Sequence, residues 1–154
     1  MRRWSWMALA AALALGGCSF LAKPDAGKEK RGMVQGKQGG KVLERTASRM
    51  LTEFGDVPVP VELKRDDELS FVYEAPGVTM GVVTLSGYYT GASIARFFRT
   101  EMPRQQWQFL NAFSEGNRYM LNFLKANRSC VINIREDALS TRVTIKVGPT
   151  RGGG

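Results

Sequence analysis

The stretch Ala92-Ser-Ile-Ala-Arg-Phe-Phe-Arg-Thr-Glu-Met-Pro103 decides the fold class. Its apolar residues Ile94, Phe97, Phe98 and Met102 fall at i, i+3, i+4 and i+8, which marks one face of a helix, and Pro103 is placed to end or kink it. On both sides of this helix the apolar period drops to two. Upstream, Leu69, Phe71, Tyr73 and Ala75 alternate with Ser70, Val72 and Glu74 in a strand that Pro76-Gly77 closes. A second strand over 80–89 follows after a short turn, so the pair reads as an antiparallel hairpin, broken at Thr90-Gly91.

Downstream the same reading continues. Trp107, Phe109 and Phe113 mark a strand, Glu115-Gly-Asn-Arg118 a hairpin turn, and Tyr119, Leu121 and Phe123 the return. Cys130, Ile132 and Ile134 mark the next strand after Ala126-Asn-Arg128. Val143, Ile145 and Val147 alternate with Arg142, Thr144 and Lys146 in the cleanest half-buried strand of the chain. The expected order is ββαββββ, one main helix packed on one face of an antiparallel sheet, an α+β architecture over 56–149 with a frayed tail over 150–154. Asp56-Val-Pro-Val-Pro-Val-Glu62 leads in as extended chain, because each proline biases the residue before it away from the helical region.

In front of this domain the composition changes. Lys41 to Phe54 carries Leu43, Ala47, Met50, Leu51 and Phe54 at helical spacing with Gly55 as a stop, which predicts an amphipathic helix over 41–55 that packs on the domain, on a membrane or on a partner. Residues 19–40 hold Pro24 and five glycines among Lys and Gln, offer little to bury, and are expected to be a disordered tether spanning roughly 25 Å. The charge sits there. Residues 19–55 have eight basic side chains against four acidic, while 56–150 have eleven against ten. A nucleic-acid domain would carry its positive excess on the folded part, so no nucleic acid is expected as a partner. The basic tether serves solubility or attraction to anionic lipid headgroups.

The first residues read as a processing signal. Arg2 and Arg3 precede an uncharged run from Trp4 to Ala22 whose centre is apolar, the pattern of a secretion signal. The run contains Leu15-Gly16-Gly17-Cys18, which resembles the lipobox of bacterial lipoprotein precursors. The resemblance implies cleavage after residue 17, acylation of Cys18, and a cell-envelope location with the domain periplasmic, on the outer rather than the inner membrane in a diderm organism, since Ser19 follows the cysteine. The alternative is an uncleaved anchor, because the uncharged run is 19 residues long and a bilayer span needs about 20. Gly16-Gly17 suits a cleavage site better than a helix interior. With Cys18 lipidated, Cys130 has no partner within the chain for a disulfide. It shares a strand face with Ile132 and Ile134 and reads as a buried, inert thiol.

A second resemblance lies at the fold-deciding stretch. Ser93 to Leu110 resembles the helix-to-strand unit of small, mostly uncharacterised domains of bacterial envelope lipoproteins, with an aromatic pair on the helix, Met-Pro near its end and a Trp opening the next strand. In that unit a Gly usually precedes the Trp, and here Gln106 stands in its place. The layout is also similar, in topology alone, to the helix-grip domains of an accessory lipoprotein of outer-membrane β-barrel assembly.

Composition narrows the function further. The chain has 154 residues and no His, so Ser-His-Asp triads, Cys-His dyads and His-ligated zinc are excluded. Asp66-Asp67-Glu68 lacks the spaced ligands and turn glycine of a calcium loop, and neither a metal nor a cofactor is expected. Phe97, Phe98, Trp107, Phe109 and Phe113 would either line a ligand groove between helix and sheet or form the core that a domain of about 95 residues needs. Of Tyr88 and Tyr89, consecutive on a strand, one must face away from the helix and is the candidate contact for an envelope protein or the cell wall. The expectation is a non-enzymatic envelope binding or assembly module. Its rivals are a carrier of a small apolar ligand and a hydrolase or transferase using Glu74, Glu101 or Glu115, which would need two carboxylates converging in one cleft.

Overall fold

The structure, a computed structural model, describes residues 40–43 and 47–150. The signal segment with Cys18, the tether up to residue 39 and the end of the tail lie outside the described residues. The fold is α+β. Its elements are β1 (Ser48–Met50), β2 (Pro58–Pro60), β3 (Lys64–Ala75), β4 (Val78–Gly87), α1 (Gly91–Arg104), β5 (Gln108–Glu115), β6 (Arg118–Lys125), β7 (Arg128–Glu136) and β8 (Thr141–Pro149). Strands β3 to β8 form one antiparallel sheet in the order β3-β4-β8-β7-β6-β5. After the β3–β4 hairpin, α1 carries the chain to the far edge, and β5 to β8 return as a meander until β8 pairs with β4.

Both ends of α1 are satisfied. The Thr90 hydroxyl accepts the Ser93 N–H at 3.3 Å, and the carboxylate of Glu136, from the end of β7, accepts the Gly91 N–H at 2.5 Å. A negative group there also meets the positive end of the helix dipole. At the other end the Gln106 N–H donates to Pro103 O at 3.0 Å and the Trp107 N–H to Met102 O at 3.2 Å. These are the two bonds of a Schellman cap, with Gln106 at the left-handed position, φ 66°. Between the caps, Ile94, Phe98 and Met102 are fully buried against Trp107, Phe123, Ile132 and Ile145. Each such side chain contributes about 1.5–3 kcal/mol relative to exposure.

The helix expected over 41–55 is not formed by the described residues. Lys41 instead bridges Tyr89 in parallel, Ser48–Met50 pairs with Pro58–Pro60, and the Leu51 N–H donates to Val57 O at 2.9 Å. One tight turn remains, where the Gly55 N–H donates to Leu51 O at 2.8 Å and Gly55 takes φ 69°. The apolar spacing misled because a short strand followed by one turn also buries Leu51 and Phe54 while leaving Met50 outside. The ribbon is short since Pro58 and Pro60 have no N–H to give. Ion pairs hold this arm down: Arg65 pairs with Glu53, and Asp56 pairs with Lys125 at 2.7 Å and with Arg128.

Two further expectations fail through bulges. The β5–β6 register shifts between Phe109 and Asn111, so Phe109 faces Phe123 under the helix, while Phe113 faces Met120 on the opposite side and is 64% exposed. Without the extra residue at Leu110, Phe113 would have joined the core. In β3 a shift between Asp66 and Phe71 sends Phe71 and Tyr73 to the open face and Val72 toward the core, the reverse of the face that Leu69, Phe71 and Tyr73 suggested.

Candidate functional site

Helix α1 contacts β5, β6 and β7, and Leu51, Phe54, Val57, Val59 and Leu63 join the same buried cluster. Among the described residues no helix or second sheet lies over the other sheet face, and only the β3 bulge folds onto it, covering Thr84, whose hydroxyl donates to Leu69 O at 2.9 Å. Register fixes what it displays. One cross-strand row runs Glu115, Arg118, Arg135, Arg142, Ser86 and Lys64, and the next runs Phe113, Met120, Asn133, Thr144, Thr84 and Asp66. Directly opposed residues stand about 5 Å apart, so three guanidinium side chains are placed side by side, an arrangement that costs energy unless anions or water screen it. Arg135 reaches Asp137 at 3.1 Å; among the described residues neither Arg118 nor Arg142 forms an ion pair.

These arginines, with Phe113, Met120, Asn133 and Thr144, line a concavity of about 590 Å³ in which Glu115 is the one carboxylate. A second depression, about 480 Å³, lies on the other side of Phe113, between α1 and β5, and is lined by Ala92, Arg96, Arg99, Thr100, Ala112 and Ser114 among others. Of the five aromatic residues proposed for a groove, only Phe113 lines either depression. Phe98 and Trp107 are core, and Phe97 and Phe109 pack against it, with the Arg99 guanidinium 4.9 Å from the Phe109 ring centre.

The tyrosines separate as alternation requires, although both lie just beyond β4. Tyr88 is 74% exposed; Tyr89 packs against the core and its carbonyl accepts the Thr141 hydroxyl at 2.5 Å. The cleft beside them, bordered by Leu139 and Glu136, measures about 20 Å³, room for about one water molecule. Tyr88 therefore offers a surface and no pocket.

Among the described residues the candidate carboxylates Glu74 and Glu115 do not converge. Glu74 is on edge strand β3, Glu115 on the opposite edge strand β5, and Glu101 on α1 pairs with Arg104 at 2.8 Å. Five interstrand steps of about 4.8 Å separate the two edges, too far for one cleft. Among the described residues no three His, Cys, Asp or Glu side chains are grouped so as to hold a metal ion.

Cys130 is fully buried, and its thiol is pushed up from 9.0 to about 12, first by burial and then by the Asp56 carboxylate, with Arg128 opposing. A thiol so placed stays protonated and unreactive. Beside it Trp107 donates its indole N–H to Asp56 O at 2.9 Å, under the guanidinium of Arg128, 5.1 Å from the ring centre. This is an anchor for the N-terminal arm.

The arginine row was not legible in the sequence. Arg142 reads as outward-facing from its strand alone, but alignment of Arg118, Arg135 and Arg142 depends on the registers of two successive hairpins. No protein-family model, curated protein or solved structure matches the chain.

Proposed function

We propose that this protein is a lipid-anchored component of a bacterial cell envelope, a non-enzymatic module that binds another envelope component through the uncovered face of its α+β domain. The observation that carries this reading is Leu15-Gly-Gly-Cys18, a lipobox-like cut site inside the uncharged run over 4–22, placed ahead of a Gly- and Lys-rich stretch and the α+β domain. Acyl chains on Cys18 hold the molecule at a membrane, with each buried methylene contributing about 0.8 kcal/mol. Confinement at that surface raises the effective concentration of partners, so a shallow binding face suffices. The proposed order is signal peptide over 1–17, tether over 18–40 and domain to 149, with the outer membrane as the site in a diderm cell.

Mass spectrometry of the mature protein tests this. The expected product begins at Cys18 and carries diacylglycerol, and Cys18→Ala abolishes both cleavage and labelling with palmitate. A mature chain that keeps residues 1–17, or carries a bare thiol in the soluble fraction, overturns it.

A further inference from the structure

Phe113 stands between two sets of arginines. Arg118, Arg135 and Arg142 line the concavity on its sheet side, and Arg96 and Arg99 line the depression on its helix side. The two depressions together hold five guanidinium groups and one carboxylate, Glu115, an excess of four positive charges around one exposed aromatic ring. Leu110 and Met120, 45% and 40% exposed, widen the apolar edge. The domain as a whole is close to neutral, so this excess is local: residues 56–150 carry eleven basic and ten acidic side chains.

We infer that the β5 edge docks on an anionic lipid surface, with Phe113 entering the headgroup region and Arg96, Arg99, Arg118, Arg135 and Arg142 meeting lipid phosphates around it. The proposal rests on the reading of the domain as a binding module and names its partner. A soluble polyanion would match the charge and leave Phe113, Leu110 and Met120 in water. An interfacial layer takes both, because its phosphates accept the planar two-donor fork of arginine while its acyl boundary accepts the ring. Asp137 holds Arg135 at 3.1 Å in the free protein, so this arginine exchanges one anion for another on docking.

The test uses the full chain reconstituted in neutral phosphatidylcholine vesicles and offered a second population containing phosphatidylglycerol, with vesicle clustering as the readout. Clustering is expected with the anionic targets and not with phosphatidylcholine targets, and is weakened by added salt. Each arginine near an anionic surface is worth about 1 kcal/mol, about fivefold, so combined Arg118→Gln, Arg135→Gln and Arg142→Gln raise the half-clustering lipid concentration about a hundredfold. Phe113→Ser raises it as well, and because the ring is exposed the circular dichroism melt stays that of the wild type. Equal clustering of neutral targets, clustering indifferent to the arginine variants, or binding of a polyglutamate peptide in place of vesicles overturns the proposal. A chain that does not stay on the carrier vesicles is instead floated directly with the phosphatidylglycerol vesicles, so failure of Cys18 acylation and failure of docking are read separately.

Discussion

Gln106→Gly is expected to stabilise the protein. Gln106 holds φ 66° at the cap that turns α1 into β5, is exposed, and takes no part in the side-chain hydrogen bonds found among the described residues. A side chain in the left-handed region costs about 1–2 kcal/mol, and glycine removes that cost. Glycine also enlarges the unfolded ensemble, which returns about 0.5–1 kcal/mol. The net gain is about 0.5–1 kcal/mol, or about 2–6 °C in melting temperature for a domain of this size. Urea unfolding of the full chain followed by far-ultraviolet circular dichroism measures it, with an unchanged slope as the sign that only the native cap was altered. Gln106→Ala keeps the strained backbone and stays within about 0.5 kcal/mol of the wild type. A Gln106→Gly protein no more stable than the wild type would refute the argument, because the two cap bonds to Pro103 and Met102 would then form without backbone cost.

Asp56→Asn removes the charge that Lys125 and Arg128 share, and with side chains about a fifth to a quarter exposed the expected loss is about 2 kcal/mol, between the values for exposed and buried pairs. A double-mutant cycle with Arg128→Gln is expected to show coupling above about 1 kcal/mol, and coupling near zero would show that the arm is held by packing alone. For Cys130 the folded thiol titrates near 12 against 9.0 unfolded. Its contribution to stability is therefore whole below the unfolded value and is lost as pH rises between the two, by about 1.4 kcal/mol per unit. Cys130→Ala removes this slope, and native Cys130 resists a maleimide that modifies it in urea; rapid native labelling would contradict its burial.

How far the fold was legible depends on how local each signal is. The face of α1 was readable because Ile94, Phe98 and Met102 lie within three turns, and all three are buried. The same holds for β8, where Val143, Ile145 and Val147 point inward and Arg142 and Lys146 outward. The segment 41–55 has helical spacing without the expected helix, because such spacing over one or two turns is also met by a strand followed by a turn. What distinguishes them is the partner, Pro58–Pro60. Simple alternation puts Phe71 and Phe113 on the core face and the structure puts both on the open one, for one reason in both cases. A bulge inserts residues that no local pattern announces, and beyond it every side chain changes sides.

From residue types and short-range periods alone came the helix face, the alternation of β6, β7 and β8, the exclusion of histidine chemistry and the expectation of a lipidated Cys18. These rest on properties carried by a few neighbouring residues. The tertiary structure alone decided which arginines stand side by side, which aromatic ring reaches water and how the N-terminal arm is pinned. Arg118 and Arg142 lie 24 positions apart and are brought within one row by two hairpin registers. Each register is set by burial of the opposite sheet face, so the charged row follows from the packing of residues that never touch it.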